Sequence, residues 1–212
     1  MSPTLHALKP DYWDRASREL AARDEVMAAL VAAYPEASLS SRGEPFATLA
    51  RSIVGQQISV KAADSVWARF GAALPVLSPE AVLAAGAPGL EGCGLSRRKI
   101  EYLLDLAERF ADGRLDPAHW HAMGDGAVCQ ELCKVHGIGL WTAQMFLMFN
   151  LLRPDVLPLD DKGLQRAVAR LYRRGQNPSR EELACQGETW RPWRSVATWY
   201  LWRSLDPVAV AY

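Results

Sequence analysis

The sequence predicts an all-α protein. Apolar residues recur at helical spacing along most of its length; in "PFATLARSIVG", for instance, Phe46, Leu49, Ile53 and Val54 fall on one side. Start and stop residues bracket these runs. Ser78 and Pro79 open one that Gly86 closes, and Ser96 opens another that Gly113 closes. No segment gives a convincing run of strand alternation. The expectation is roughly ten helices of ordinary length.

Taken in order, "DYWDRASRELAARDEVMAALVAAY" is helical with a break near Asp24. Pro45 starts the next helix, and Ser59 caps "VKAADSVWARF". "SPEAVLAAG" and "SRRKIEYLLDLAERFADG" follow, then a short "DPAHWHAM". "DGAVCQELCKV" leads into "HGIG", and "LWTAQMFLMFN" leads out of it. "RPDVLPLDD", with two prolines, is the most marked irregular connection. "DKGLQRAVARLY", "SREELACQ" and "PWRSVATWYLWRSL" complete the chain. We find no internal repeat, low-complexity tract or obvious linker.

The 212 residues are half apolar, enough for a sizeable core and against a disordered chain. No apolar run is long enough to span a bilayer, and "MSPTLHALKPDYWDR" has no apolar signal core. A cytosolic enzyme or binding protein is the default expectation. The formal net charge is zero, which counts against strong nonspecific nucleic-acid binding. Net charge hides distribution, however, and basic residues cluster at "SRRK", "RLYRR" and "WRPWRS". These clusters fit either a modest positive face or plain solvated helix faces. Of the four cysteines, only Cys129 and Cys133 are close, and they form no CxxC pair. We read all four as buried thiols rather than ligands or disulfides.

"KVHGIGLWTAQMF" holds the densest signal. Glycine costs about 1 kcal/mol in a helix interior relative to alanine. Gly137 and Gly139 therefore mark a sharp turn between a helix ending near Val135 and one starting near Leu140. Gly137 is expected to take positive φ, Gly139 to allow close backbone approach, and Ile138 to plug the turn into the core. The following helix begins with free N–H groups, which suit a phosphate and read no base sequence. Thr142 adds a hydroxyl. The glycines alone serve a plain αα-hairpin equally well.

More of the chain bears on that choice. "LCKVHGIGLWTAQMFLMFNLLRPDVLPLDDKGLQRAV" resembles the hairpin, connection and catalytic segment of the helix-hairpin-helix DNA glycosylases. Within them it is similar to the alkylbase branch, the AlkA-type DNA-3-methyladenine glycosylases II. "PFATLARSIVGQQISVKAA", "GLSRRKIEYLLDLA" and "WRPWRSVATWYLW" match in the same order, so the resemblance runs from about residue 40 to 203. The chain begins too close to the first match to hold the N-terminal β-domain of some members, and resembles the shorter helical ones. The resemblance implies two helical subdomains with a cleft for DNA and base between them. Residues 1–44 with 152–212 form one subdomain and 45–151 the other, with the helix-hairpin-helix at 125–150.

Asp160 and Asp161 follow Pro158 at a helix start. We expect Asp160 to be the N-cap and Asp161 to fall in the first turn, where the helix dipole favours negative charge. Cleavage of an N-glycosidic bond builds positive charge on the sugar, which a fixed anion stabilises. A carboxylate can alternatively orient or deprotonate water. The resemblance assigns the catalytic role to Asp161.

Trp141 stands where the family's lyase branch carries a lysine, and tryptophan forms no Schiff base. The implied activity is therefore a monofunctional glycosylase. No cofactor is expected, and Cys185 alone near the C-terminus excludes the cluster of the iron–sulfur branch. Electron-poor alkylated purines suit aromatic faces, each contact contributing about 0.5–2 kcal/mol. The resemblance places Trp141 and Trp202 at the base pocket, with Met145 one turn after Trp141.

Reaching a stacked base requires flipping it out, and the hole needs a filler. In "GQQIS", Gln57 matches the family's wedge residue and Gln56 braces the loop from behind. Ser59 and Lys61, with the hairpin's Gly137, Gly139 and Thr142, are the expected phosphate contacts. Carbonyls of Val135 and Ile138 would hold a monovalent cation, as in relatives. The expected partner is double-stranded DNA with alkylated bases, bound by a monomer without membrane involvement. The expected location is bacterial cytoplasm, at the nucleoid, or the nucleus of a eukaryote. A glycosylase for another damaged or mismatched base, or a non-catalytic DNA-binding module, are the alternatives.

Overall fold

The computed structural model describes residues 9–36 and 38–205. Among these there are twelve helices and no strand. They are α1 (Trp13–Arg23), α2 (Glu25–Ala33), α3 (Pro45–Gly55), α4 (Val60–Ala72), α5 (Pro79–Leu90), α6 (Arg97–Ala111), α7 (Pro117–Trp120), α8 (Asp125–Leu132), α9 (Leu140–Phe149), α10 (Lys162–Tyr172), α11 (Arg180–Glu188) and α12 (Arg194–Leu205). The all-α expectation holds. The described residues divide into two compact units: those from 9 to 42 with those from 147 to 205, and residues 43–146. The second division falls inside α9.

Helix starts follow local chemistry. Asp24, Ser59, Ser78, Ser96 and Ser179 each accept an N–H of the first turn. Ser179 and Glu182 cap reciprocally. Gly86 leaves helical geometry at φ 57°, interrupting α5 where the sequence placed a stop.

The unit from 43 to 146 packs α3 against α4 and α6, and α5 against α6. Edge-on rings run through it: Phe46 on Phe110, Phe110 on Trp120, Trp120 on Phe146, with centroids 5.4, 6.0 and 5.1 Å apart. In the other unit α12 packs on α1, α2 and α10. Trp13, Leu20, Met27, Trp190 and Tyr200 are fully buried there. Asp24 joins its elements, because its Oδ2 accepts from Tyr172 Oη at 2.7 Å and Trp190 Nε1 at 3.3 Å. Burial, reinforced by Asp24, pushes the Tyr172 hydroxyl well above its ordinary range.

Two expectations are corrected. Cys93 and Cys129 are buried, but Cys133 and Cys185 are exposed. Cys133 caps the end of α8 instead of lying within it, which brings it to the surface. The helix before the glycine turn ends at Leu132, short of Val135.

Candidate functional site

In the 43–146 unit the glycine turn joins α8 to α9. Gly137 sits at φ +83°. A Cβ there would lie 2.2 Å from Tyr102 Cδ2, so the ring of α6 occupies the space a side chain would need. Gly139 has nothing within 4 Å of its Cβ position, so the close approach expected there involves no protein atom. Ile138 is buried, plugging the turn as expected. The N–H of His136 donates to Asp105 Oδ2 at 2.7 Å, and Asp105 is itself paired with Arg109 at 2.9 Å. Two residues of α6, Tyr102 and Asp105, thus shape the turn from outside it.

The loop after α3 meets the same turn. Gln56 Nε2 donates to the Gly137 carbonyl at 2.7 Å, the bracing expected of it. Gln57 is exposed at φ +59°, uncommon for a residue with a side chain. Ile58, Ser59, Val60 and Lys61 are also exposed. The Ser59 hydroxyl accepts the Ala62 N–H as a helix cap, so its acceptor capacity is partly spent internally. Thr142 is buried, 8% exposed. Trp141 is 37% exposed, an unusual setting for an indole. Met145 is buried. Positions 141 and 145 share one face of α9 by helical spacing.

The other unit holds the carboxylate. Asp161, not Asp160, is the N-cap of α10. The Asp161 N–H closes a turn onto the Pro158 carbonyl at 3.0 Å, so the helix begins one residue later than expected. Asp160 is exposed and ion-paired with Arg180. Asp161 is 6% exposed, and its Oδ1 accepts the Leu164 N–H at 2.6 Å and the Trp202 Nε1–H at 2.7 Å. The indole of Trp202 stacks on Phe149 at 6.0 Å and 13°, and the Arg42 guanidinium lies 4.4 Å from the Phe149 centroid. Gly163 permits the Asp161–Trp202 bond. A Cβ there would sit 2.9 Å from Trp202 Cδ1 and 3.0 Å from both Nε1 and Asp161 Oδ1.

The irregular connection that delivers Asp161 is held on the start of α12. Ser195, fully buried, donates its hydroxyl to the Arg153 carbonyl at 2.6 Å and accepts the Val156 N–H at 2.9 Å. Arg194 grips Asp155 with Nε on Oδ1 at 2.7 Å and Nη2 on Oδ2 at 3.0 Å. Arg191 joins the same carboxylate. "WRPWRS" therefore acts as an internal clamp and not as a positive face. Arg173 is likewise paired, with Glu182. Trp193 is buried, stacked on Tyr12 and donating to Glu19, so it is core.

Sequence reading missed Gly163, Tyr102, Asp105 and Ser195. Only Gly163 left a signal: a glycine in the first turn of an otherwise strong helix needs a reason.

Residues 50–192 match the HhH-GPD superfamily of base excision DNA repair proteins, and the chain belongs to that family. DNA-3-methyladenine glycosylase 1 of Schizosaccharomyces pombe is 31% identical over 182 residues, covering 82% of this chain and 78% of that protein. A solved structure of DNA-3-methyladenine glycosidase from Bacillus halodurans superposes with a TM-score of 0.83 at 34% identity, covering 90% of this chain and 89% of that one. The S. pombe 3-methyladenine DNA glycosylase Mag1, solved in complex with abasic DNA, superposes with a TM-score of 0.78 at 29% identity, covering 92% and 100%. Against the Bacillus subtilis protein YfjP the match is 36% identical but spans 60% of this chain and 45% of that protein.

Proposed function

We propose that the chain is a monofunctional DNA glycosylase that hydrolyses the N-glycosidic bond of alkylated purines in duplex DNA. It flips the base out and leaves an abasic site for base excision repair. The observation that carries this reading is the Asp161 carboxylate, buried at a helix N-terminus with two N–H donors on one oxygen. An anion so fixed needs no reorganisation when positive charge develops on the sugar. The names of the S. pombe and B. halodurans relatives support the alkylpurine class.

In this reading Trp141, Met145 and Trp202 are base-contacting residues, and Gln57 fills the hole in the stack. The backbone at Gly137 and Gly139, with Thr142, Ser59 and Lys61, meets phosphates. The Val135 carbonyl accepts the Ile138 N–H at 3.1 Å. A carbonyl has a second lone pair, so Val135 and Ile138 remain compatible with a monovalent cation that would add positive charge beside a phosphate. The protein acts as a monomer, in bacterial cytoplasm or a eukaryotic nucleus. Where Trp141 stands no amine is available, so the strand stays intact after base loss.

The test is base release from duplex DNA treated with a methylating agent. Free methylated purines with strand breaks only after alkali are expected. Breaks without alkali would indicate a lyase, and bound DNA with no released base would favour another lesion or a binding module.

Gly163→Ala is a sharp probe of the carboxylate's setting. Alanine is the better helix former by about 1 kcal/mol. Its methyl nonetheless displaces the indole from Asp161. Single-turnover base release is expected to slow by about tenfold to a hundredfold, with a cooperative melting transition retained.

A further inference from the structure

Lys99 occupies the first turn of α6 beside Arg97 and Arg98, in the "SRRK" cluster. A cation there opposes the helix dipole, so the position carries a local cost. Arg97 and Arg98 are exposed, but Lys99 is half-buried and turned into the unit. Its ammonium donates to the Val54 carbonyl at 2.7 Å and the Gln56 carbonyl at 2.8 Å. Both belong to the C-terminal end of α3, whose last carbonyls lack helix partners and whose dipole favours a cation. Ser96 in turn accepts the Lys99 N–H, fixing the residue that reaches across.

The Gln56 carbonyl lies in the peptide plane that joins Gln56 to Gln57. Holding that oxygen sets the rotation on either side of the plane: ψ 132° at Gln56 and φ +59° at Gln57. Positive φ is disfavoured for a residue with a Cβ and persists only where surroundings over-determine it. Gln56 supplies the second anchor through its side chain on Gly137. Burial lowers the Lys99 pKa, and the two carbonyl acceptors offset that by favouring the charged ammonium.

We propose that Lys99 is a positioning residue that presets the Gln57 wedge, by clamping the Gln56–Gln57 peptide in the conformation that presents Gln57 outward. The inference rests on the reading of Gln57 as the residue that fills the space of a flipped base. It removes "SRRK" as a simple phosphate patch, because its innermost cation is committed to backbone oxygens.

The experiment uses a duplex with a tetrahydrofuran abasic analogue opposite 2-aminopurine, whose fluorescence reports what stacks on the orphan base. Saturating wild-type protein is expected to change the fluorescence and Gln57→Ala to lose the change. Lys99→Met and the shorter Lys99→Gln should fall to the Gln57→Ala level, with affinity for the duplex weakened by about threefold or less, since the hairpin contacts remain. Lys99→Arg, whose guanidinium keeps the charge and can donate to both carbonyls, should restore the signal. Melting curves identify any variant that unfolds, and the glutamine and arginine pair carries the test if the methionine variant does. A wild-type signal in Lys99→Gln, or no difference between wild type and Gln57→Ala, overturns the proposal. Failure of the wild type to release methylated purine with this fluorescence pattern intact would sink the glycosylase reading and leave the clamp standing.

Discussion

Asp161→Asn is expected to lower single-turnover release of methylated purines by at least about 10²–10³-fold while leaving the fold unchanged. The substitution isolates charge from shape. Asparagine keeps an oxygen that can accept the Leu164 and Trp202 N–H groups, so the α10 cap and the indole contact survive. What disappears is the negative charge that opposes positive charge on the sugar. Affinity for duplex DNA with an abasic analogue should stay within a few-fold, because the phosphate contacts proposed above involve other residues. Full activity in this variant would move the catalytic group to another residue.

Gly137→Ala is expected to be the most damaging small substitution in the 43–146 unit. Two penalties coincide there. Alanine at φ +83° is strained, and its methyl would lie 2.2–2.7 Å from three ring atoms of Tyr102. Together these cost about 2–4 kcal/mol. Tyr102 shares α6 with Asp105, the acceptor for His136, so a shift of the ring strains the turn at two points. A lowered urea midpoint and weaker binding to abasic duplex should appear together. Gly139→Ala is the control: its Cβ meets nothing within 4 Å and its backbone is not in the left-handed region, so stability should change little.

What could be read from the sequence was mostly what is decided within a few residues. The caps at Ser59, Ser78 and Ser96, the break at Asp24 and the turn at Gly137 each depend on neighbours in the chain, and each stands where local chemistry put it. The assignment at the aspartate pair failed by one position for a physical reason. Both residues have capping chemistry, and the choice is made by the Pro158 turn and by Arg180, which takes Asp160 from 20 residues away. Partners at long range were not legible. Nothing near Lys99 says that it reaches Val54, and nothing near Arg194 says that it grips Asp155. Arginine clusters look alike whether they face DNA or a half-buried carboxylate of the same chain. The motif-level reading of Asp161 came from the resemblance of several stretches to a known family. Its hydrogen-bond setting, with Gly163 making room for Trp202, came from packing alone.

The central claim is that Asp161 acts as a fixed anion facing a sugar that becomes positive. It is tested most directly by comparing affinity for two duplexes, one with a cationic pyrrolidine abasic analogue and one with the neutral tetrahydrofuran analogue. Wild-type protein should prefer the cationic duplex by about tenfold to a hundredfold, as a site matched to the charged state does. The preference should vanish in Asp161→Asn. Equal affinity of the wild type for both duplexes, or a preference that survives in Asp161→Asn, would contradict the claim.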